Sequence, residues 1–117
     1  MNEQKNISEY GFNFQVKFIV CLITDKLFLE QIFDILDEKY LGNEAFKWLV
    51  KEIKNHYSKY KKVMTMDVFK VQVGEVNNDL LKQNVLDTLR EVVKYLESEE
   101  LDYIKDKALD FHKTQVL

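Results

Sequence analysis

Two histidines and one cysteine are the side chains of this sequence best suited to acid–base, nucleophilic or metal chemistry. His56 and His112 could each act as a general base or a metal ligand. The Glu-x-x-His spacing of di-iron helical bundles does not occur, because Ile53 and Leu109 lie three residues before the two histidines. We therefore interpret both as surface histidines on polar helix faces. Cys21 stands in an apolar run and is predicted to be a buried, unreactive thiol.

Two clusters of carboxylates could ligate a metal ion or supply acid–base catalysis. They are Asp34, Asp37 and Glu38 in one cluster, and Glu97, Glu99 and Glu100 in the other. The first lies near the predicted end of one helix and the second near the start of another, where acidic side chains are expected from the helix dipole alone. Three scattered glycines cannot build a phosphate-binding loop, and a single cysteine builds neither an internal disulfide nor a cysteine-based zinc site. We therefore predict that the chain is not an enzyme and holds no cofactor or metal.

A lysine-rich stretch raises the question of nucleic-acid binding. Lys59, Lys61 and Lys62 lie at the predicted C-terminal end of a helix, where cations are expected. Tyr57 and Tyr60 alternate with them and could stack on bases, but both continue the inner stripe of the same helix. We favour core packing for the two tyrosines. The net charge of −3 also disfavours a dedicated nucleic-acid binder, so we predict no direct nucleic-acid binding.

The composition indicates the fold that must position these residues. A chain of 117 residues with 46% hydrophobic residues is long enough for one packed domain. Proline is absent and glycine occurs three times, which removes the usual signals of β-turns and favours an all-α fold. No signal peptide or membrane span is apparent, and we predict a cytoplasmic location, in a bacterium or a phage-infected cell. We expect residues 1–11 to be a flexible segment and residues 12–117 to form one helical domain.

Hydrophobic periodicity predicts a compact bundle of about six helices. The stretch FNFQVKF at residues 12–18 alternates like a strand, but the longer window carries two adjoining helical stripes, and we favour a buried helix. Ser, Thr, Asn and Asp residues supply candidate N-caps for the others. The predicted helices begin near Phe12, Asp25, Asn43, Thr65, Asn77 and Ser98, with Gly74 closing the fourth as a residue just past its C-terminus.

Five residues are candidates for a protein interface. Trp48 lies about 200° around its helix from Phe46, opposite the apolar stripe, so it is either covered by the connector at residues 37–43 or exposed to a partner. Tyr103 and Phe111 lie on the last predicted helix, and Val116 and Leu117 extend its apolar stripe. No capping residue or proline closes this helix. From the residues we expect that this helix is truncated or lacks a partner helix; the alternative is the frayed end of a complete small protein.

Three stretches of the chain resemble a known family. They are VCLITDKLFLEQIFDILDEKYL, EAFKWLVKEIKNHYSKYKKVMTMDVF and LDYIKDKALDFHKTQVL. Together they are similar to the N-terminal domain of DnaB-type replicative DNA helicases, especially those of bacteriophages, over residues 14–117. One departure is visible, because Val63, Met64 and Thr65 lack the proline often found at that helix start.

The resemblance implies a function without catalysis in this chain. In that family the N-terminal domains pair through helical hairpins and form a collar on a hexamer, while a separate motor domain hydrolyses the nucleotide. It therefore implies that the last helix is the start of a longer helical hairpin. It also implies that the domain self-associates through this C-terminal helix region and contacts the primase or the helicase loader during DNA replication. The alternative from the residues is a free-standing small α-helical adaptor or regulator, of phage or bacterial origin, that binds another protein.

Overall fold

The computed structural model describes residues 6–115 of the chain. This part contains six α-helices and two short 3-10 helices. The predicted all-α class is confirmed. The 3-10 helices span Ile7–Tyr10 and Glu38–Tyr40. The α-helices are α1 (Phe12–Thr24), α2 (Lys26–Ile32), α3 (Glu44–Tyr60), α4 (Met66–Gly74), α5 (Asp79–Lys94) and α6 (Leu101–Gln115).

Side-chain caps explain where four of the helices begin. Asp25 accepts a hydrogen bond from the backbone N–H of Phe28, and Asn43, Thr65 and Asn78 make the equivalent bond at the starts of α3, α4 and α5. Each bond satisfies one of the N–H groups that a first helical turn leaves without a partner. The N-caps predicted at Asp25, Asn43 and Thr65 are confirmed.

The helix ends differ more from the prediction. Gly74 is the last residue of α4 rather than a left-handed residue beyond it. The left-handed residue of the described chain that is not glycine is Lys61, with a φ of 57°, and it terminates α3. A side chain in this conformation is strained relative to glycine. At the last helix, Ser98 accepts from the N–H of Glu100, and α6 itself begins at Leu101.

Helix α1 forms the centre of the core. From Val16 to Leu22 every residue of α1 except Lys17 is buried, and the helix contacts α2, α3, α5 and α6. This confirms the prediction of a helix buried on more than one side and excludes the alternative of a strand at residues 12–18. Because α6 packs on α1, the two ends of the described chain share one core.

The segment before α1 is part of this core, which corrects the expected boundary at residue 12. Ile7 is fully buried, and Asn6 donates a side-chain hydrogen bond to the carbonyl of Leu41 across 3.2 Å. A lone isoleucine among polar residues has no periodic pattern, so its burial was not predictable from hydrophobic spacing. Residues 1–5 lie outside the described part of the chain, and the expectation of flexibility there stays a prediction.

A glycine marks the place where this segment meets the connector between α2 and α3. The backbone N–H of Gly42 donates to the side-chain oxygen of Gln15 across 2.7 Å. A Cβ on Gly42 would lie 2.6 Å from the Cβ of Ser8 and 2.9 Å from that Gln15 oxygen. The close approach of three chain segments therefore depends on the absence of a side chain at this position.

We expect Gly42→Ala to lower the free energy of unfolding by about 1–3 kcal/mol, because the added methyl group must push Ser8 and Gln15 apart. Gly74→Ala is the matched control, since a Cβ there meets no atom within 4 Å. Alanine inside a helix end should be neutral or stabilising by up to about 1 kcal/mol. Urea unfolding of both variants checks this, and equal effects at the two glycines would contradict the steric explanation.

Candidate functional site

His112 is buried, contrary to its predicted position on a polar helix face. Its exposed fraction is zero, and its ring stacks on Phe18 with centroids 5.5 Å apart. The rings of Tyr40 and Phe111 approach it edge-on at 5.5 and 5.3 Å. The spacing from Ala108 to His112 is one helical turn along the inner stripe of α6, so periodicity could have indicated this burial.

The hydrogen bonding of His112 leaves one ring nitrogen without a protein partner. Nδ1 lies 2.8 Å from the carbonyl oxygen of Ala108 and therefore carries the proton, because a carbonyl can only accept. Among the described residues no group bonds to the buried Nε2. Burial lowers the pKa of His112 below its ordinary 6.5, while the Ala108 carbonyl and the charge of Asp37 oppose that shift. The ring is thus held neutral inside an aromatic cluster.

Cys21 behaves as predicted for a buried thiol. It is fully buried on α1, with Sγ 3.7 Å from the carbonyl oxygen of Leu101. Burial raises the pKa of this thiol from 9.0 to about 12. At neutral pH the nucleophilic thiolate is therefore essentially unpopulated.

The predicted carboxylate clusters are separate side chains in the structure rather than one site. Asp37 accepts from the N–H of Lys39 at the start of the second 3-10 helix, and Glu100 pairs with Lys17. Asp25 lies 2.9 Å from Lys105, whose hydrogen bond lowers the pKa of that carboxyl and links the start of α2 to α6. Within residues 6–115 no group of three or more His, Cys, Asp or Glu side chains is placed to hold a metal ion.

The five predicted interface residues have different environments. Trp48 is half-buried against the core, so it is partly covered rather than free on a polar face. Tyr103 is 62% exposed. Phe111 is 5% exposed and packs against Tyr10, Tyr40 and His112; its prediction as a surface contact is therefore wrong for the isolated chain. Val116 and Leu117 lie outside the described residues.

An aromatic face lies along the junction of α1 and α6. Tyr103 lies one helical turn before Lys107 on α6, and Glu100 lies directly before the helix, three residues before Tyr103. Glu100 pairs with Lys17 of α1, and the Lys107 ammonium lies 5.5 Å above the ring of Tyr10. Tyr103 therefore lies on the side of α6 that is next to Tyr10.

The aromatic face consists of Tyr10, Phe14, Tyr103 and Lys107. Tyr10 is 40% exposed and meets the half-buried Phe14 edge-on at 4.9 Å. Tyr10 was not among the predicted interface residues, because it falls in the segment that we assigned to the flexible N-terminus.

A second surface feature is a groove between α3 and α4. It has a volume of about 390 Å³ and is open to solvent. Its lining residues are Glu52, Asn55, His56, Lys59, Tyr60, Met64, Val68 and Gln72. Tyr60 is 54% exposed, so the predicted core packing of this tyrosine is wrong, whereas Tyr57 packs on Phe33 with centroids 5.3 Å apart. Both tyrosines were predicted to lie in the core, because the spacing of the inner stripe of α3 continues to Tyr60. In the structure the buried part of that stripe ends about one helical turn earlier.

Comparison of the chain with protein-family models, with curated proteins and with solved structures found no match. In the described part of the chain, no helix has both the length and the apolar character that a membrane crossing requires.

Proposed function

We propose that this chain is a non-catalytic interaction domain of the kind found at the N-terminus of DnaB-type replicative helicases. In this proposal it supports collar assembly by self-association and contacts the primase or the helicase loader. The resemblance of three sequence stretches to that family supports the proposal. The observation that carries it is the aromatic face on α1 and α6, because the resemblance places subunit contacts in the region of the last helix.

The chemistry of the aromatic face suits a protein partner. Tyr103 and Tyr10 present large apolar rings with a polar hydroxyl, a combination that is enriched where proteins contact one another. Phe14 extends the apolar area and Lys107 supplies a cation at its edge. Side chains of this kind at the centre of an interface account for much of its binding energy.

Site-specific cross-linking can test the self-association. Because Cys21 is buried with a pKa of about 12, a new surface cysteine would be the reactive thiol of the chain. We expect Tyr103→Cys to give covalent dimers with a short thiol cross-linker, because the proposal brings Tyr103 of two copies together. Glu75→Cys, which is exposed on the α4 side, is the matched control and should stay monomeric. Equal dimer yields from both variants would contradict an interface at α6.

A second measurement separates the helicase domain from the free-standing adaptor. The chain is immobilised and offered the helicase, the primase and the loader encoded by the same genome. Capture of at least one of them, weakened about tenfold or more by Tyr103→Ala, is expected from the helicase proposal. If none is captured while the chain remains folded, the adaptor becomes the better explanation.

A further inference from the structure

Charge is distributed very unevenly along this chain. Residues 51–70 contain six lysines and two acidic residues, a net charge of +4. Since the whole chain carries −3, the remaining residues carry −7. The basic segment comprises the second half of α3, the turn after it and the first half of α4. Residues 51–70 are therefore a strongly basic segment within an acidic protein.

Four lysines of this basic segment have no carboxylate close enough to form an ion pair. Among residues 6–115, no carboxylate lies within 4.0 Å of Lys51, Lys59, Lys61 or Lys62. By contrast, Lys17, Lys26, Lys39, Lys47, Arg90, Lys94 and Lys105 each have an acidic partner. Uncompensated cations gathered at one place attract a polyanion and release its counterions when it binds.

The rings of Tyr60 and His56 lie close to these lysines in the chain, and that of Tyr60 is exposed. Tyr60 lies in the α3–α4 groove with its ring 4.8 Å from that of His56, and the Lys59 ammonium lies 5.4 Å from the Tyr60 ring centroid. Asn55, Gln72 and Glu52 also line the groove, and the Gln72 amide donates to the Glu52 carboxylate across 3.3 Å. The Asn55 amide can donate and accept hydrogen bonds. We predicted that Tyr60 packs in the core and is therefore not free to stack on a base. Tyr60 is 54% exposed, so its ring is accessible to a base.

We propose that the α3–α4 groove binds single-stranded nucleic acid, with a base stacked on Tyr60 and the backbone phosphates beside Lys59, Lys61 and Lys62. An acidic protein segment would satisfy the lysines but would make no use of the exposed Tyr60 ring or of the Asn55 amide. Lys59 lines the groove, and Lys61 and Lys62 directly follow Tyr60 in the chain. Cations beside an aromatic ring on which a base can stack are the recurring design of single-strand binding sites. This site is separate from the aromatic face on α1 and α6.

The proposal sets the expected salt dependence. Three lysines on three phosphates give a slope of log K against log salt of about −2, at about −0.7 per phosphate of a single strand. Removing one of these cations should make the slope shallower by about 0.7. Removing the stacking ring should lower the affinity about tenfold and leave the slope unchanged, because no charge is lost.

Fluorescence anisotropy with a labelled oligothymidylate of about 20 nucleotides tests these expectations on the full chain. Lys59→Gln and Tyr60→Ala are the diagnostic variants. Lys113→Gln and Leu80→Ala are their matched controls, because Lys113 is an exposed lysine on α6 and Leu80 is a 72% exposed apolar residue on α5, and neither belongs to the groove or to the aromatic face. We expect weaker binding from the first pair and unchanged binding from the second. All four positions are exposed, and circular dichroism verifies that each variant is folded.

Polyglutamate of matched charge serves as the competing polyanion. Displacement of the oligonucleotide only by a large excess of polyglutamate supports the proposal. Equal binding of polyglutamate, together with no effect of Tyr60→Ala, would overturn it and assign the groove to an acidic protein segment. Absence of oligonucleotide binding at low salt, or equal losses from the control variants, would also overturn it.

Discussion

Replacement of Phe18 by alanine should lower the free energy of unfolding by about 3–5 kcal/mol. Phe18 is fully buried on α1, stacks on His112 of α6 and meets Phe28 of α2 edge-on at 6.2 Å. The truncation would leave a cavity where three helices meet, and surrounding helices refill such a cavity only in part. Because domains of this size have total stabilities of about 5–15 kcal/mol, the variant should be partly unfolded at 37 °C.

Phe12→Ala is the control for this prediction. It removes the same side chain from the same helix, but Phe12 is 46% exposed and touches one aromatic neighbour, Phe46, at 5.4 Å. We expect a loss of about 1 kcal/mol, since less apolar surface returns to water and no enclosed cavity forms. Chemical denaturation of both variants gives the comparison. Similar losses from Phe18→Ala and Phe12→Ala would show that α1 is not the centre of the core.

Acidification should destabilise the protein through His112. The unfolded chain binds a proton at this histidine near pH 6.5, whereas burial lowers the pKa in the folded state. Between the two pKa values the unfolded state holds more protons, so the stability contributed by the neutral ring is complete above about pH 6.5. It is lost as the pH falls toward the folded pKa. The loss can reach about 1.4 kcal/mol per pH unit in that window.

The groups around His112 indicate how this effect can be isolated. Asp37 is the carboxylate whose charge favours protonation, while Nε2, which would carry the second ring proton, has no hydrogen-bond partner among the described residues. We expect His112→Phe to abolish this pH dependence and to be neutral or stabilising at pH 7, because it also removes the unpaired Nε2.

Thermal unfolding between pH 5 and pH 7 compares His112→Phe with wild type and with His56→Gln. The half-buried His56 is the control, and its variant should retain the wild-type dependence. A pH dependence that persists in His112→Phe and disappears in His56→Gln would contradict the assignment. Ionisation of the other carboxylates affects all three proteins equally and cancels in the comparison.

Local sequence signals predicted much of this fold. The start of α3 needed only Asn43, whose side chain satisfies a nearby N–H, and its inner face needed only the spacing of Phe46, Leu49 and Ile53. Both depend on residues within one or two helical turns. The same logic held for α1 because its apolar residues cover more than one stripe.

Predictions failed where a distant part of the chain determines burial. His112 is buried because Phe18 and Tyr40, from two other elements, close over it, and Ile7 is buried although nothing around it in the sequence is apolar. Tyr60 failed for the opposite reason, since α3 extends beyond the elements that cover its inner face. The groove between α3 and α4 contains Tyr60, and the aromatic face contains Tyr10, which lies in the same N-terminal segment as Ile7. Neither surface was therefore apparent from periodicity alone.

The packing of α6 on α1 has a consequence for how the protein is made. Ribosomes synthesise α1 before α6, yet each covers an apolar face of the other. During translation one apolar face of α1 therefore stays uncovered until α6 has left the exit tunnel. Such a nascent chain is a natural client for chaperones, and translation products that lack α6 should be rapid targets of proteolysis.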